Sequence, residues 1–294
     1  MKKILLTGGN GFIGRNLLES DLAQKYRIFV PGHRELPLED TAAVDAYFRG
    51  KEFDAVWHFA TKPAHRNAPD HSNLFYTNVR MFENLARHRD RFGKFINAGS
   101  GAIYDVSANN AGVREDEIFA RMGVDDHSFC KYVVAKRMEN MPGFVDFNIF
   151  GIFGKYEDYA IRFISNAICK ALYGLPITLR QNRRFSYLDV TDLPAVLETF
   201  TENPAQHRSY NITPPEPVEL AAIADMVKKT VGNDVEIKVA ASGYGLDYYG
   251  DNARLLTEFP QVRFTTFAVS VERLVKWYRE NLPGIDKHKL LVDK

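Results

Sequence analysis

A glycine-rich turn near the start of the chain constrains the fold more than any other feature. The segment TGGNGFIG, residues 7–14, directly follows the first apolar run and opens a stretch with helical spacing. Glycines at a strand-to-helix turn let the backbone approach a pyrophosphate, whose charge the turn amides stabilise. Gly8 permits the tight turn, Gly11 the close approach, and Gly14 the packing of helix on strand. The turn therefore predicts a dinucleotide site.

The first half of the chain alternates short apolar runs with longer amphipathic stretches. The apolar runs, which predict buried strands, are 4–6, 27–30, 55–59, 94–97 and 144–150. The amphipathic stretches, which predict helices, include 13–24, 41–49 and 75–89. Strands alternating with helices are typical of parallel sheets with crossover helices. The expected fold class is therefore α/β, a Rossmann-type doubly wound parallel sheet that binds its ligand at the carboxyl ends of the strands.

Predicted strands and helices alternate less regularly after Gly154, and no linker separates the two parts of the chain. We expect an NAD(P)-binding Rossmann domain over residues 1–150, with a segment near 185–208 returning to it. Residues 151–294 are expected to form mainly a smaller α/β substrate-binding lobe.

Composition excludes several classes of partner. Lys and Arg number 38 against 37 Asp and Glu, a net charge of +1, so no field attracts nucleic acid or an acidic membrane. No run approaches the ~18 to 20 apolar residues of a membrane span. The 2 cysteines cannot form a disulfide scaffold, and the eight histidines show no metal-site spacing with them. We expect a cytoplasmic protein with no metal.

The end of the second predicted strand bears on the choice of dinucleotide. An NAD site usually presents Asp or Glu there to hold the ribose 2′-hydroxyl. Here the sequence is VPGHR, and Arg34, helped by His33, is suited to pair with a 2′-phosphate. We therefore expect NADP, with NAD still possible because Glu35 follows directly.

A tyrosine and a lysine four residues apart, Tyr132 and Lys136, predict an acid/base pair. On a helix, side chains four apart lie on the same face. A neighbouring ammonium lowers the pKa of a phenol and makes it a usable general acid/base. Ser100, at the end of a predicted strand, is placed to donate a hydrogen bond to a substrate carbonyl.

These motifs occur together in a familiar order. They are the glycine turn, residues 54–60, Asn78 in a helix, Ser100 four residues before Tyr104, YVVAK at 132–136, and residues 150–154, 162–164 and 187–193. Over nearly the whole chain the sequence resembles the extended short-chain dehydrogenase/reductase family of NAD(P)-dependent sugar epimerases, dehydratases and reductases. Within it, residues 34–40 and 60–62 look most like the GDP-fucose synthase and dTDP-4-dehydrorhamnose reductase branch.

The resemblance implies roles for particular residues. Ser100, Tyr132 and Lys136 become the catalytic triad, and Lys136 also holds the nicotinamide ribose. The full set of expected cofactor-binding residues is Gly8, Gly11, Phe12, Ile13, Gly14, His33, Arg34, Leu38, Ala60, Thr61, Lys62, Asn78 and Lys136. The candidate substrate-binding residues are Ala102, Tyr104, Arg183 and Arg184.

The departures from the family pattern favour one reaction. Gly101 and Ala102 follow Ser100 where sugar dehydratases carry an acidic pair, and no Cys matches the one that epimerising fucose synthases use. We therefore expect NADPH-dependent reduction of a keto group at C4 of a nucleotide-activated deoxy sugar for surface polysaccharide. The resemblance also implies a homodimer. An NAD-dependent nucleotide-sugar epimerase remains the alternative. A non-catalytic NADP-binding regulatory protein is the alternative of another class.

Overall fold

The computed structural model describes residues 1–65, 67–68 and 70–291. The strands, in chain order, are β1 (Lys3–Thr7), β2 (Arg27–Phe29), β3 (Phe53–His58), β4 (Phe92–Asn97), β5 (Asn110–Val113), β6 (Phe144–Asn148), β7 (Gly151–Phe153), β8 (Ile177–Leu179), β9 (Arg184–Phe185), β10 (Tyr187–Asp189), β11 (Ser209–Asn211), β12 (Val218–Glu219), β13 (Ile237–Val239) and β14 (Tyr248–Gly250). The helices are α1 (Phe12–Leu18), α2 (Leu22–Lys25), α3 (Thr41–Phe48), α4 (Leu74–Ala86), α5 (Asp126–Met138), α6 (Phe163–Leu172), α7 (Leu193–Glu202), α8 (Leu220–Val231), α9 (Ala253–Glu258) and α10 (Phe267–Glu280).

Six strands of the described chain form one parallel sheet in the order β11-β6-β4-β3-β1-β2. The chain winds outward from β1 to β2 in one direction and from β3 to β11 in the other. Loops therefore diverge between the carboxyl ends of β1 and β3, which is where such sheets leave a crevice for a ligand. The predicted Rossmann-type fold is confirmed.

Helices cover both faces of this sheet because successive side chains of each strand point to opposite faces. In β1, Ile4 and Leu6 are buried in one core and Leu5 in the other. The first core also receives side chains from α1, α7 and α9, and the second from α3, α4 and α5.

The first predicted helix is divided in two. The hydroxyl of Ser20 donates to the carbonyl of Leu17 and accepts from the amide of Leu22, so it ends α1 and starts α2. A serine that bonds to nearby backbone groups competes in this way with helix continuation.

The later part of the chain builds a second lobe around its own core, which lies among α6, α8 and α10. A smaller sheet in the order β12-β9-β14-β5 stands beside it. The segment that returns to the large sheet extends to Asn211, since β11 completes that sheet, slightly beyond the predicted 185–208. Residues 292–294 of the predicted lobe lie outside the described residues. Within the described ranges, no helix has the length and apolar character that crossing a membrane requires.

Candidate active site

A cleft of about 1260 Å³ runs from the glycine turn, past the carboxyl ends of β1, β3 and β4, to the second lobe. Its floor is the crevice between β1 and β3. Its far wall comes from β14 and the segment around β9 and β10. Both lobes therefore contribute side chains to one continuous site.

The glycine turn holds its shape because no side chain fits there. A Cβ on Gly14 would lie 2.4 Å from the carbonyl oxygen of Gly8. Gly8 has a φ of +75°, and its Cβ would lie 2.6 Å from the amide of Ala60. Residues 7–14, Phe12 and Ile13 included, all line the cleft. A dinucleotide fits this site, because close-packed glycines leave the turn backbone open to a pyrophosphate.

The loop after β3 forms the next part of the wall. Ala60, Thr61 and Lys62 all line the cleft. Lys62 directs its ammonium away to Asp70, 2.5 Å from a carboxylate oxygen. The Asn78 side chain accepts hydrogen bonds from the Lys62 amide (2.8 Å) and the Thr61 hydroxyl (3.0 Å). Asn78 does not line the cleft itself. Because it bonds to Thr61 and Lys62, it positions the loop that does.

The end of the cleft beside β2 is lined by His33, Leu38 and Glu39, whereas the exposed Arg34 is not among the lining residues. The side chain that the sequence favours for a 2′-phosphate therefore lies outside the wall, and its helper His33 lies inside it. The neighbouring Glu39 is a carboxylate of the kind that holds a ribose hydroxyl.

The structure does not bring Tyr132 and Lys136 to the cleft. The Tyr132 ring packs edge-on against Phe119, with ring centres 5.3 Å apart. The Lys136 ammonium lies 4.2 Å from the centre of the same Phe119 ring and 2.7 Å from a carboxylate oxygen of Glu139. The predicted acid/base pair is therefore corrected: both side chains lie on a face of α5 that the cleft does not touch.

The pair on α5 that does line the cleft is His127 and Lys131. It has the same four-residue spacing, in a register five residues earlier. Asp125 sets the start of the helix, since its carboxylate accepts the amides of His127 and Ser128, both at 3.0 Å. The Lys131 ammonium donates to the carbonyl of Ala98 at 2.9 Å.

The phase of the helix explains the difference. Val134 marks the centre of the buried stripe, with Cys130 and Met138 on either side of it. At 3.6 residues per turn, His127 and Lys131 lie within about 60° of Val134, while Tyr132 and Lys136 lie about 160° away. This helical phase is present in the sequence, whereas the YxxxK spacing by itself points to the opposite face of the helix.

His127 is held neutral at physiological pH. Burial, the charge of Lys131 and the charge of Arg162 lower its pKa to about 4, against the opposing effect of Asp125. Its Nδ1 atom is buried and has no hydrogen-bond partner among the described residues. A neutral imidazole in this position can donate one hydrogen bond to a bound molecule.

Ser100 follows β4 and lines the cleft, as does Ala102. The Ser100 hydroxyl accepts the amide of Ala102 at 3.1 Å, which caps the short 3-10 helix Gly101–Tyr104 and fixes the serine at its N-terminal end. Tyr104 instead is buried and donates its hydroxyl to Asn211 at 2.7 Å. Tyr104 therefore anchors the loop and is not part of the cleft wall.

Of the two candidate arginines of the second lobe, one lines the cleft and the other does not. Arg183 lines the cleft, with its guanidinium carbon 5.1 Å from the centre of the Phe185 ring. Arg184 turns away and pairs with Asp247 at 2.5 Å. Arg162 and Tyr248, which are not among the predicted site residues, also line the cleft. No group of three or more His, Cys, Asp or Glu side chains suited to a metal ion occurs in the described part of the chain.

Sequence and structure comparisons relate this chain to known proteins. Residues 4–213 match the family described as "NAD dependent epimerase/dehydratase family". The GDP-L-colitose synthase of Yersinia pseudotuberculosis is 24% identical over 172 residues, which are 53% of this chain and 56% of that protein. The chain thus spans little more than half the length of this curated relative.

Two solved structures share the fold. A GDP-L-fucose synthetase from Naegleria fowleri bound to NADP has a TM-score of 0.83 and 16% identity, covering 96% of this chain and 94% of that one. MlghC, a GDP-mannoheptose C4 reductase from Campylobacter jejuni with NADP bound, has a TM-score of 0.80 and 19% identity, covering 95% and 98%.

The fold and the glycine-lined cleft define a Rossmann-type protein of the dinucleotide-binding class. Because the family match spans more than half of the chain, the protein belongs to the NAD dependent epimerase/dehydratase family. The resemblance predicted from the sequence motifs is confirmed.

Proposed function

We propose that this protein is an NADP-dependent reductase that acts on a keto group, at C4, of a nucleotide-activated deoxy sugar. One observation carries the proposal: Ser100, His127 and Lys131 line the same cleft as the glycine turn. The names of the colitose synthase and the heptose C4 reductase support the substrate class.

In this proposal NADPH, when bound, supplies the hydride. The backbone of the glycine turn holds the pyrophosphate, and the wall near His33 and Leu38 receives the adenosine end. Lys131 takes the role that the resemblance assigns to the family lysine, which is to hold the nicotinamide ribose. NAD is the alternative, because Glu39 lines the same end of the cleft as His33 and a carboxylate can hold a ribose hydroxyl.

Two uncharged donors are available to polarise the substrate carbonyl. The Ser100 hydroxyl lies at the strand end, and the neutral imidazole of His127 lines the same cleft. Donors aimed at the oxygen stabilise the negative charge that develops there during hydride addition. Arg183 is placed farther along the wall, where its planar guanidinium suits a diphosphate.

Dehydration is disfavoured by the residues around Ser100. Gly101 and Ala102 carry no titratable group, and the Glu157 carboxylate in the cleft wall already accepts a hydrogen bond from Ser165. Plain reduction needs no acid/base pair for water elimination and requires only one proton for the carbonyl oxygen. The role in polysaccharide synthesis, the homodimer and the cytoplasmic location remain predictions.

The absence of a phenol from the cleft-facing side of α5 favours a second function. A protein that binds NADP without transferring hydride needs no proton donor there. Such a regulatory protein would bind cofactor and leave every keto sugar unreduced.

The test is a screen of NADPH and NADH oxidation against 4-keto sugars activated with GDP or dTDP. We expect oxidation of NADPH with at least one of them, and a loss of kcat of about 100-fold in Ser100→Ala. Tight cofactor binding without oxidation of any sugar would contradict the reductase and support the regulatory protein. Mass spectrometry of the purified protein provides a companion test, because retained NAD would indicate an epimerase.

A further inference from the structure

Tyr248 brings a phenol into the cleft from the second lobe. It begins β14, and its ring packs against Phe150 and Phe185, with centres 5.1 and 4.9 Å apart. The residue is 8% exposed and lines the cleft together with Ser100. Burial raises the pKa of this phenol, and a hydrogen bond with the Ser100 hydroxyl partly offsets the rise.

In the described part of the chain two phenols line the cleft, Tyr187 and Tyr248, and of the two it is Tyr248 that has a hydrogen bond with Ser100. Neutral His127 would have to become an imidazolate to release its proton, which is a far weaker acid than a phenol. The Lys131 ammonium is engaged by the carbonyl of Ala98. Tyr132 lies on the opposite side of α5. A reduced carbonyl oxygen must nevertheless gain a proton.

We propose that Tyr248 supplies this proton through the Ser100 hydroxyl. The inference rests on the proposed reductase function. Hydride adds to the carbonyl carbon, and the electron pair of the C=O π bond moves to oxygen. That oxygen takes the proton of Ser100, and Ser100 takes the proton of Tyr248. The resulting tyrosinate regains a proton from water after the product leaves.

The charges around Tyr248 suit this role. Burial raises the pKa of the phenol well above its ordinary value, so the resting group is fully protonated. The charge of Arg183 acts in the opposite direction and stabilises the tyrosinate, whereas the charge of Asp125 opposes it.

Tyr249 provides a matched control on the same strand. It follows Tyr248 directly and therefore points to the other face of the sheet. Its ring lies 5.1 Å from the guanidinium carbon of Arg184, outside the cleft. Tyr249→Phe removes an identical hydroxyl without touching Ser100.

The first experiment compares Tyr248→Phe with Tyr249→Phe in NADPH oxidation with the sugar that the wild-type protein reduces. We expect Tyr248→Phe to lower kcat about 100-fold, with KM within about threefold, and Tyr249→Phe to change neither by more than about twofold. The loss should be smaller at acidic pH, where solvent supplies protons. A Tyr248→Phe enzyme with kcat within about threefold of wild type would overturn the proposal.

A rescue variant separates proton supply from mere packing. His127→Tyr places a phenol one turn from Lys131, on the cleft-facing side of α5. Added to Tyr248→Phe, it should restore kcat at least about tenfold. If the double variant has the same kcat as Tyr248→Phe alone, the result would count against the proposal.

A readout without turnover keeps the two proposals distinguishable. In protein labelled at the tyrosine ζ carbon, the NMR signal absent from Tyr248→Phe belongs to Tyr248. Ser100→Ala should shift that signal and leave the Tyr249 signal unmoved. A signal unaffected by Ser100→Ala would refute the hydroxyl contact itself. A shifted signal in a protein that reduces no sugar would instead refute the proposed function and leave the contact standing.

Discussion

The ammonium of Lys131 on α5 is bonded to the carbonyl of Ala98 at the end of β4, with N and O 2.9 Å apart. Ala98 precedes Ser100 by two residues. This contact therefore helps to hold the helix that carries His127 against the loop that carries the serine. The distance between the donors of the site follows from how α5 docks on the sheet.

Gly8→Ala should impair cofactor binding and stability together. The substitution forces a Cβ to within 2.6 Å of the Ala60 amide, in a backbone with a φ of +75°. We expect a loss of about 1 to 3 kcal/mol in the free energy of unfolding, measured by urea denaturation, with weaker NADPH binding. Gly284→Ala, where a Cβ meets nothing within 4 Å, is the control and should be nearly neutral. Equal stability of the two variants would contradict the packing of the turn.

Asp146→Asn should change how stability depends on pH. Asp146 is buried on β6 and accepts a hydrogen bond from Asn97 at 2.7 Å. Burial raises its pKa from 3.8 to about 6, partly offset by Asn97 and Lys131. A carboxyl with a raised pKa in the folded state stabilises fully at low pH, and that contribution is lost as the pH rises through about 6.

The variant should therefore gain stability relative to wild type between about pH 4 and pH 7, by at most about 3 kcal/mol. Urea denaturation of both proteins across this range measures the difference. His58 and His127 titrate in both proteins, so their contributions cancel. A difference that stays constant with pH would show that Asp146 is not the titrating group.

His33, more than Arg34, should determine the preference for NADPH over NADH. His33 lines the end of the cleft beside β2, whereas Arg34 is exposed outside it. His33→Ala should reduce the ratio of NADH to NADPH dissociation constants several-fold, about 1 kcal/mol, and Arg34→Ala should leave it nearly unchanged. Fluorescence titration with NADPH and NADH measures the dissociation constants of both cofactors for each variant. A larger effect of Arg34→Ala would restore the choice that the sequence favours.

The sequence predicts the fold and the glycine turn because both depend on local patterns. Apolar runs alternate with helical stretches, and Gly8 and Gly14 stand where only a missing side chain fits. The position of Ser100 at the end of a strand is predictable for the same reason. These features need no knowledge of distant contacts.

Other site residues depend on packing that motif spacing does not contain. Tyr132 and Lys136 match the family spacing, yet the buried stripe through Val134 turns them away from the sheet. Arg184 and Arg183 look equivalent in the sequence. In the structure Arg184 forms an ion pair with Asp247, more than sixty residues later, and this pair holds it away from the cleft. Tyr248 reaches Ser100 only because β14 pairs with β5 and β9 in the second lobe.

We propose that the functional face of α5 carries Lys131 and not Lys136. The most direct test is the dissociation constant of NADPH for Lys131→Met and Lys136→Met, measured by fluorescence titration. A hydrogen bond from a charged group contributes about 1.5 to 3 kcal/mol, so we predict binding at least about tenfold weaker for Lys131→Met and within about twofold of wild type for Lys136→Met. Weaker binding in Lys136→Met, with Lys131→Met unaffected, would contradict the account.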